Sequence, residues 1–240
     1  MIPAPAFLAN PERFMAFSRW AAPLFGVVAA ALAAVGLWLA FSVPPDYQQG
    51  ETVRIMFIHV PAAILSMFIY ACLGVASLLS LVFRHVLADA AAEAAAPLGA
   101  GFTLLALVTG SLWGRPMWGA WWVWDARLTS VLVLFLFYLA YLALRASIDD
   151  EAKAARAAAI LALVGLVNLP IVHFSVYWWN SLHQGSTMLT KGALAPVYAA
   201  PLYLMMLAYL SGFGSLWLVR IRGEVWRRRA EAAALRAARA

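Results

Sequence analysis

The sequence predicts an all-α polytopic membrane protein: a bundle of six transmembrane helices with a tryptophan-rich segment at one water boundary. Three observations carry that reading. Of 240 residues, 65% are hydrophobic and only 12% are charged, and the mean hydropathy is +0.83, which is the composition of a chain solvated by lipid. The apolar residues gather into six continuous runs of about the 20 residues a helix needs to cross a bilayer. Those runs are rich in Leu and Ala and do not alternate at every second position, which argues against a closed β-barrel.

The first run, about 21–43, follows a segment in which Phe7, Leu8, Phe14, Met15 and Phe17 lie among Glu12, Arg13 and Arg19, the make-up of a lead-in helix lying on the membrane surface. At about 22 residues the run exceeds the 7–15 of a secretion signal's apolar region, so it reads as a retained span. The second run, about 57–83, opens with the motif RIMFIHVPAA. The third, about 97–114, enters the tryptophan segment, and the fourth, about 128–145, leaves it. The fifth, about 157–176, ends in VNLPIVHFSV. The sixth, about 197–219, precedes the basic segment 220–240, whose helix propensity is high and whose charge suits anionic lipid headgroups. No repeat or long linker divides the chain, so residues 1–240 read as one domain.

Basic residues orient the bundle. Arg13, Arg19, Arg84, Arg145, Lys153, Arg156 and seven arginines after the sixth span fall on one side, against Arg54, Arg115, Arg127 and Lys191 on the other. The positive-inside bias then puts both termini in the cytoplasm and the tryptophan segment outside. The same bias accounts for the pI near 9.8, leaving nucleic-acid binding without support. Cys72 is the only cysteine, so the chain has no disulfide of its own, no thiolate cluster and no C-x-x-C-H haem attachment. With no G-x-x-x-x-G-K-[ST] run, any use of ATP belongs to another polypeptide. The span cores carry no charged residue, only groups such as Thr103, Thr109, Ser111, Ser130 and Asn168. A charge at mid-bilayer costs about 2.5–3.5 kcal/mol and usually marks an ion or proton route. The chemistry is therefore expected at one face.

That face carries the run WGRPMWGAWWVWDARLT, with Trp113, Trp118, Trp121, Trp122 and Trp124 in twelve residues. Tryptophan anchors many membrane proteins at headgroup depth, and that role stays open. If residues 118–129 formed a helical turn or two, Trp118, Trp121, Trp122, Asp125 and Thr129 would share a stripe, an indole shelf suited to a large planar ligand such as haem.

Candidate axial ligands are His59, opening the second span, and His183, in the last external loop. Neutral imidazole ligates haem iron, although either histidine could simply meet water. His85 reads as a solvated loop residue, and His173 as bonded to a neighbouring helix or a buried water. Among the external arginines, Arg54 and Arg127 are the candidates for haem propionates. Each has a local alternative partner, Glu51 and Asp125 respectively.

The segment MWGAWWVWDARLTS resembles the tryptophan-rich WWD signature of the haem-handling proteins of cytochrome c maturation. DYQQG, RIMFIHVPAA, LVTGSLWGRPMWG, VNLPIVHFSV and WWNSLHQGST resemble its haem exporter protein C branch in particular. The resemblance covers about residues 20–190. It implies a six-span bacterial inner-membrane protein that holds haem b in a periplasmic site and loads it onto a periplasmic haem chaperone. It further implies His59 and His183 as axial ligands and Trp113 through Asp125, with Arg127, as the haem-facing loop. The implied partners are that chaperone, a small single-span companion and a two-part ATP-driven transporter, with this chain itself no enzyme.

Two other classes stay in view. An electron-carrying cytochrome b subunit would need paired histidines near both faces, and the cytoplasmic side offers only His85. A permease or lipid-substrate enzyme would use the tryptophans to grip an acyl or isoprenoid chain.

Overall fold

The computed structural model describes residues 10–183, 185 and 194–238. Among these residues all regular structure is helical, apart from a single bridge between Asp46 and Gly50. The helices are α1 (Pro11–Ser42), α2 (Met56–Phe83), α3 (Val86–Trp118), α4 (Ala126–Ser147), α5 (Glu151–Gly165), α6 (Asn168–Trp178) and α7 (Pro196–Ala237), with a 3-10 turn, Glu51–Ile55, leading into α2. Six stretches are long and apolar enough to cross a membrane, with α5 and α6 together making the fifth. Large apolar side chains such as Val27, Phe68, Val75, Leu104, Leu136 and Leu210 stay exposed along the spans, as lipid contact allows.

Local chemistry sets the helix ends. The Asn10 side chain accepts from the Glu12 and Arg13 N–H groups and Pro11 opens α1, a favoured pairing of N-cap and first residue. Arg84 takes a left-handed conformation, φ 51°, and His85 Nδ1 accepts from Ala88 N at 3.3 Å. α2 and α3 are thereby joined by two residues. Asp150 caps α5 by accepting from Lys153 N and Ala152 N, and the Lys153 N–H leads in holding its carboxyl below the usual carboxylate range. Pro170 explains why the fifth span is two helices. It has no N–H for the Leu166 carbonyl and its ring crowds that position. The chain turns at Leu166–Val167, and Leu169 N bonds to Leu166 O instead.

Three expectations change. The lead-in segment, from Pro11 on, is continuous with the first span, and the basic segment continues the sixth span as far as Ala237. Pro23, just inside the first span, and Gly223, just beyond the sixth, are both carried within continuous helix; Phe7 and Leu8 fall outside the described residues. The third span begins at Val86, eleven positions before the apolar window, because the alanines around Asp89 and Glu93 favour helix despite their low hydropathy.

α1 runs antiparallel to α7, and α2 packs along α3. The core centres on Ile69, Tyr70 and Leu73 of α2, Ala92, Ala95 and Ala96 of α3, and Leu134 and Tyr138 of α4. Small residues let the backbones approach. A Cβ on Gly99 would lie 2.1 Å from the Tyr138 ring, and the Tyr138 hydroxyl donates to Ser66 O at 2.8 Å. Asn168 crosses from α6 to donate to Ser130 O.

The end of the bundle where α1 begins and α7 ends is tied by ions. Arg145 pairs with Asp89 and Glu93, and Arg228 bonds Asp89 and Glu224 at 2.6 Å each. Arg227 bridges Glu224 and Glu151. These arginines of the basic segment thus face acidic partners on α3, α5 and α7, whereas a lipid-facing role was expected of the whole segment. His85 is likewise a helix cap, where a solvated loop residue was expected.

Candidate functional site

At the opposite end, the 3-10 turn delivers His59 to the first turn of α2. Its ring enters the α2–α3 interface, where Nδ1 lies 3.1 Å from Thr109 Oγ1. Gly110 makes the approach possible, since a Cβ there would be 2.9 Å from His59 Cε1. One turn further along α3, Trp113 meets the imidazole edge-on at 5.7 Å, and its Nε1 donates to Gln49 Oε1 at 2.9 Å. The DYQQG segment is thereby pinned beside the histidine.

α3 ends at Trp118 because Gly119 adopts φ +75° and returns its N–H to Arg115 O, a glycine stop. Trp118 folds back over Gly114, whose Cβ position lies 2.9 Å from the indole. Its ring stands 6.3 Å from that of His183. His183 is held by a short relay: its N–H donates to Ser181 Oγ at 3.0 Å, and that hydroxyl donates to Asp125 Oδ2 at 2.5 Å. Asp125 Oδ1 meanwhile caps α4 by accepting from Leu128 N at 2.8 Å. His183 and Arg127 both lie within electrostatic reach of His59. The structure therefore gathers His59, His183, Trp113, Trp118, Asp125 and Arg127 at one end of the bundle.

The single indole stripe does not form. Residues 119–125 are irregular between Gly119 and the Asp125 cap, so no helical register links Trp118 to Trp121, Trp122 and Thr129. The five tryptophans divide instead. Trp113 and Trp118 attend the histidines. Trp122 and Trp124 pair edge-on at 5.6 Å and, with Leu107, Val108, Ser111 and Leu132, line a groove of about 400 Å³ between α3 and α4. Trp121 is more than half exposed, with Arg115 over its ring and its carbonyl accepting from Ser111 Oγ. Trp124 is 76% exposed.

The arginines differ as well. Arg54 pairs with Glu51 at 2.7 Å and lies over Phe41, so its local alternative is realised. Arg127 makes no ion pair with Asp125 among the described residues. Among the described residues, buried donors find no hydrogen-bond partner at Arg54 Nε, Arg127 Nε and Trp122 Nε1, and such groups are costly unless an acceptor meets them. Two imidazoles, flanking indoles and orphaned cationic donors are a donor set that fits an anionic, iron-bearing porphyrin. His173 is exposed and contacts Phe174 edge-on; among the described residues it makes no hydrogen bond to a neighbouring helix, one of the two partners expected of it. Lys191 lies outside the described residues.

Sequence reasoning gave no role to Thr109, Gly110, Gln49 or Ser181. Thr109 could be seen only as a polar residue in an apolar span. The other three lie inside the motifs DYQQG, LVTGSLWGRPMWG and WWNSLHQGST, but residue type alone gives none of them a role until its partner is brought near.

Comparison with known proteins identifies the family. The family model for heme exporter protein C matches residues 5–236. The chain is 53% identical over 224 residues to a heme exporter protein C from Bradyrhizobium diazoefficiens, covering 92% of this chain and 85% of the relative. It is 48% identical over 219 residues to that of Escherichia coli strain K12, covering 91% and 89%. A protein of Marchantia polymorpha, described as ccmC-like, mitochondrial and of cytochrome c biosynthesis, is 40% identical over 220 residues, covering 90% and 92%. With a family model spanning nearly its whole length, the chain belongs to the heme exporter protein C family.

Proposed function

We propose that this chain holds haem b at the periplasmic end of its bundle and delivers it to a periplasmic haem chaperone during c-type cytochrome biogenesis. The observation that carries the reading is the convergence of His59 and His183, which are 124 positions apart in sequence, beside Trp113 and Trp118. In this reading the two imidazoles take the axial positions on the iron. Trp113 and Trp118 shield the macrocycle, with Trp122 and Trp124 extending the apolar wall toward the bilayer. Arg127, whose Nε has no partner among the described residues, takes a propionate, and Arg54 contributes more weakly because Glu51 already occupies it. The exposed Trp121 and Trp124 lie at the rim where the chaperone approaches. Bound haem supplies a vinyl group to the chaperone's own nucleophile. This chain acts by positioning and orientation and is not itself an enzyme.

The uncharged span cores favour entry of haem from the bilayer or the outer leaflet. The whole chain works as one haem-handling domain in the bacterial inner membrane with both termini cytoplasmic. A two-part ATP-driven transporter and a small single-span companion complete the system. The cytochrome b alternative is weakened by His85, whose Nδ1 caps α3.

Purified protein carrying His59→Ala or His183→Ala is expected to lose or shift its haem absorbance. Unchanged spectra in both would overturn the axial assignment.

A further inference from the structure

The Thr109 hydroxyl has one proton and two close carbonyls of its own helix to give it to: Leu105 O at 2.6 Å and Ala106 O at 3.3 Å. The shorter contact takes the proton, the usual back-bonding of a helical threonine. Toward His59 Nδ1, 3.1 Å away, the oxygen then offers only lone pairs. An acceptor on this side of the imidazole demands a ring N–H there. Thr109 is buried at the α2–α3 contact, where little water competes for the bond.

We infer that Thr109 is a positioning residue that holds His59 in its Nδ1–H tautomer and so leaves Nε2 as the lone pair directed to haem iron. The inference rests on the proposed axial role of His59. Neutral imidazole has one N–H, and the nitrogen that keeps it cannot ligate. Among the described residues Nε2 of His59 takes no hydrogen bond. The rival arrangement turns the Thr109 proton onto Nδ1, breaks the 2.6 Å bond to Leu105 and puts the ring proton on Nε2, where it blocks coordination. Gly110 and Trp113 hold the ring between them, so the tautomer is selected together with the orientation. A donated Nδ1–H also raises the basicity of the ligating nitrogen, which favours ferric over ferrous iron.

The tautomer can be read without haem. Apo-protein labelled with 15N-histidine is expected to show a protonated Nδ1 and a lone-pair Nε2 for the resonance that disappears in His59→Gln. Thr109→Ser keeps the acceptor and should keep that pattern, with haem affinity within about twofold of the parent. Thr109→Val keeps the shape, removes the acceptor and should shift the ring toward the Nε2–H form. Its haem affinity should fall about tenfold, the low end for loss of such a supporting contact, and the haem midpoint potential should rise. An Nε2–H parent, or a Thr109→Val protein with unaltered tautomer and affinity, would overturn the inference. Failure of the axial reading is distinguishable, because His59→Ala would then retain its haem absorbance whatever the tautomer.

Discussion

The Ser181 hydroxyl donates to Asp125 Oδ2 at 2.5 Å, joining two loops 56 positions apart. One carboxylate thereby performs two tasks. Oδ1 starts α4 by capping Leu128 N, and Oδ2 anchors the turn whose next hydrogen bond, from His183 N to Ser181 Oγ, sets the place of a proposed iron ligand.

Ser181→Ala removes both relay bonds and leaves the α4 cap intact. At about 1 kcal/mol for the bond from His183 N and about 1.5–3 kcal/mol for the bond to the Asp125 carboxylate, haem affinity is expected to fall at least tenfold, with little change in the unfolding temperature. Asp125→Ala loses the cap as well, about 1 kcal/mol more, and should also unfold at a lower temperature. Absorbance titration with haem and a thermal melt of each variant separate the two effects.

Gly110→Ala puts a methyl where His59 Cε1 now sits, 2.9 Å from the new carbon. The ring must move, so haem binding should weaken and its absorbance should shift. Gly101→Ala is the matched control, since its Cβ would meet open space. It should be neutral or add up to about 1 kcal/mol of stability, with an unchanged spectrum.

Arg127→Gln should weaken haem binding more than Arg54→Gln. Arg127 has no ion pair among the described residues and an unmet Nε, whereas Arg54 is engaged by Glu51. A hydrogen bond to a charged group contributes about 1.5–3 kcal/mol, so the first variant should lose roughly ten- to hundredfold in affinity. Equal losses in the two variants would show that the propionates do not distinguish them.

Arg145→Met leaves Asp89 and Glu93 facing a largely buried space, since the Arg145 side chain is only 7% exposed. Removing one partner of a buried pair costs about 3–5 kcal/mol. Arg228 still serves both acids, so the lower end applies, read as a reduced melting temperature in detergent. The haem spectrum should not change, because the network lies at the far end of the bundle.

Each span was legible because lipid permits few solutions, and the apolar windows found all six. Their ends were less legible. Asp89 and Glu93 hid the first eleven residues of α3, and Pro170 divided the fifth span at Leu166, where a hydropathy window averages over Asn168 and Pro170 and shows one apolar run. The indole stripe failed for a local reason. Gly119 stops one helix and Asp125 starts the next, and that turn chemistry overrode a periodicity that needs an unbroken helix. The residue types of the site were visible, as were the two histidines and the tryptophan run. Their supporting partners were not, because Thr109, Gln49 and Ser181 are ordinary polar residues until folding supplies a neighbour.

By itself the sequence determined that the chain spans a membrane six times as helices, because backbone polar groups in hydrocarbon must be satisfied within each segment and every such segment must be apolar and long. It also singled out the tryptophan run and the two histidines as candidates for one end of the bundle. Only the tertiary structure decided which of them meet. Side-chain contact across α2, α3 and the last described loop depends on the close approach of α2 to α3 at Gly110, on Trp118 folding over Gly114 and on hydrogen bonds between distant loops, and none of these leaves a periodic trace along the chain.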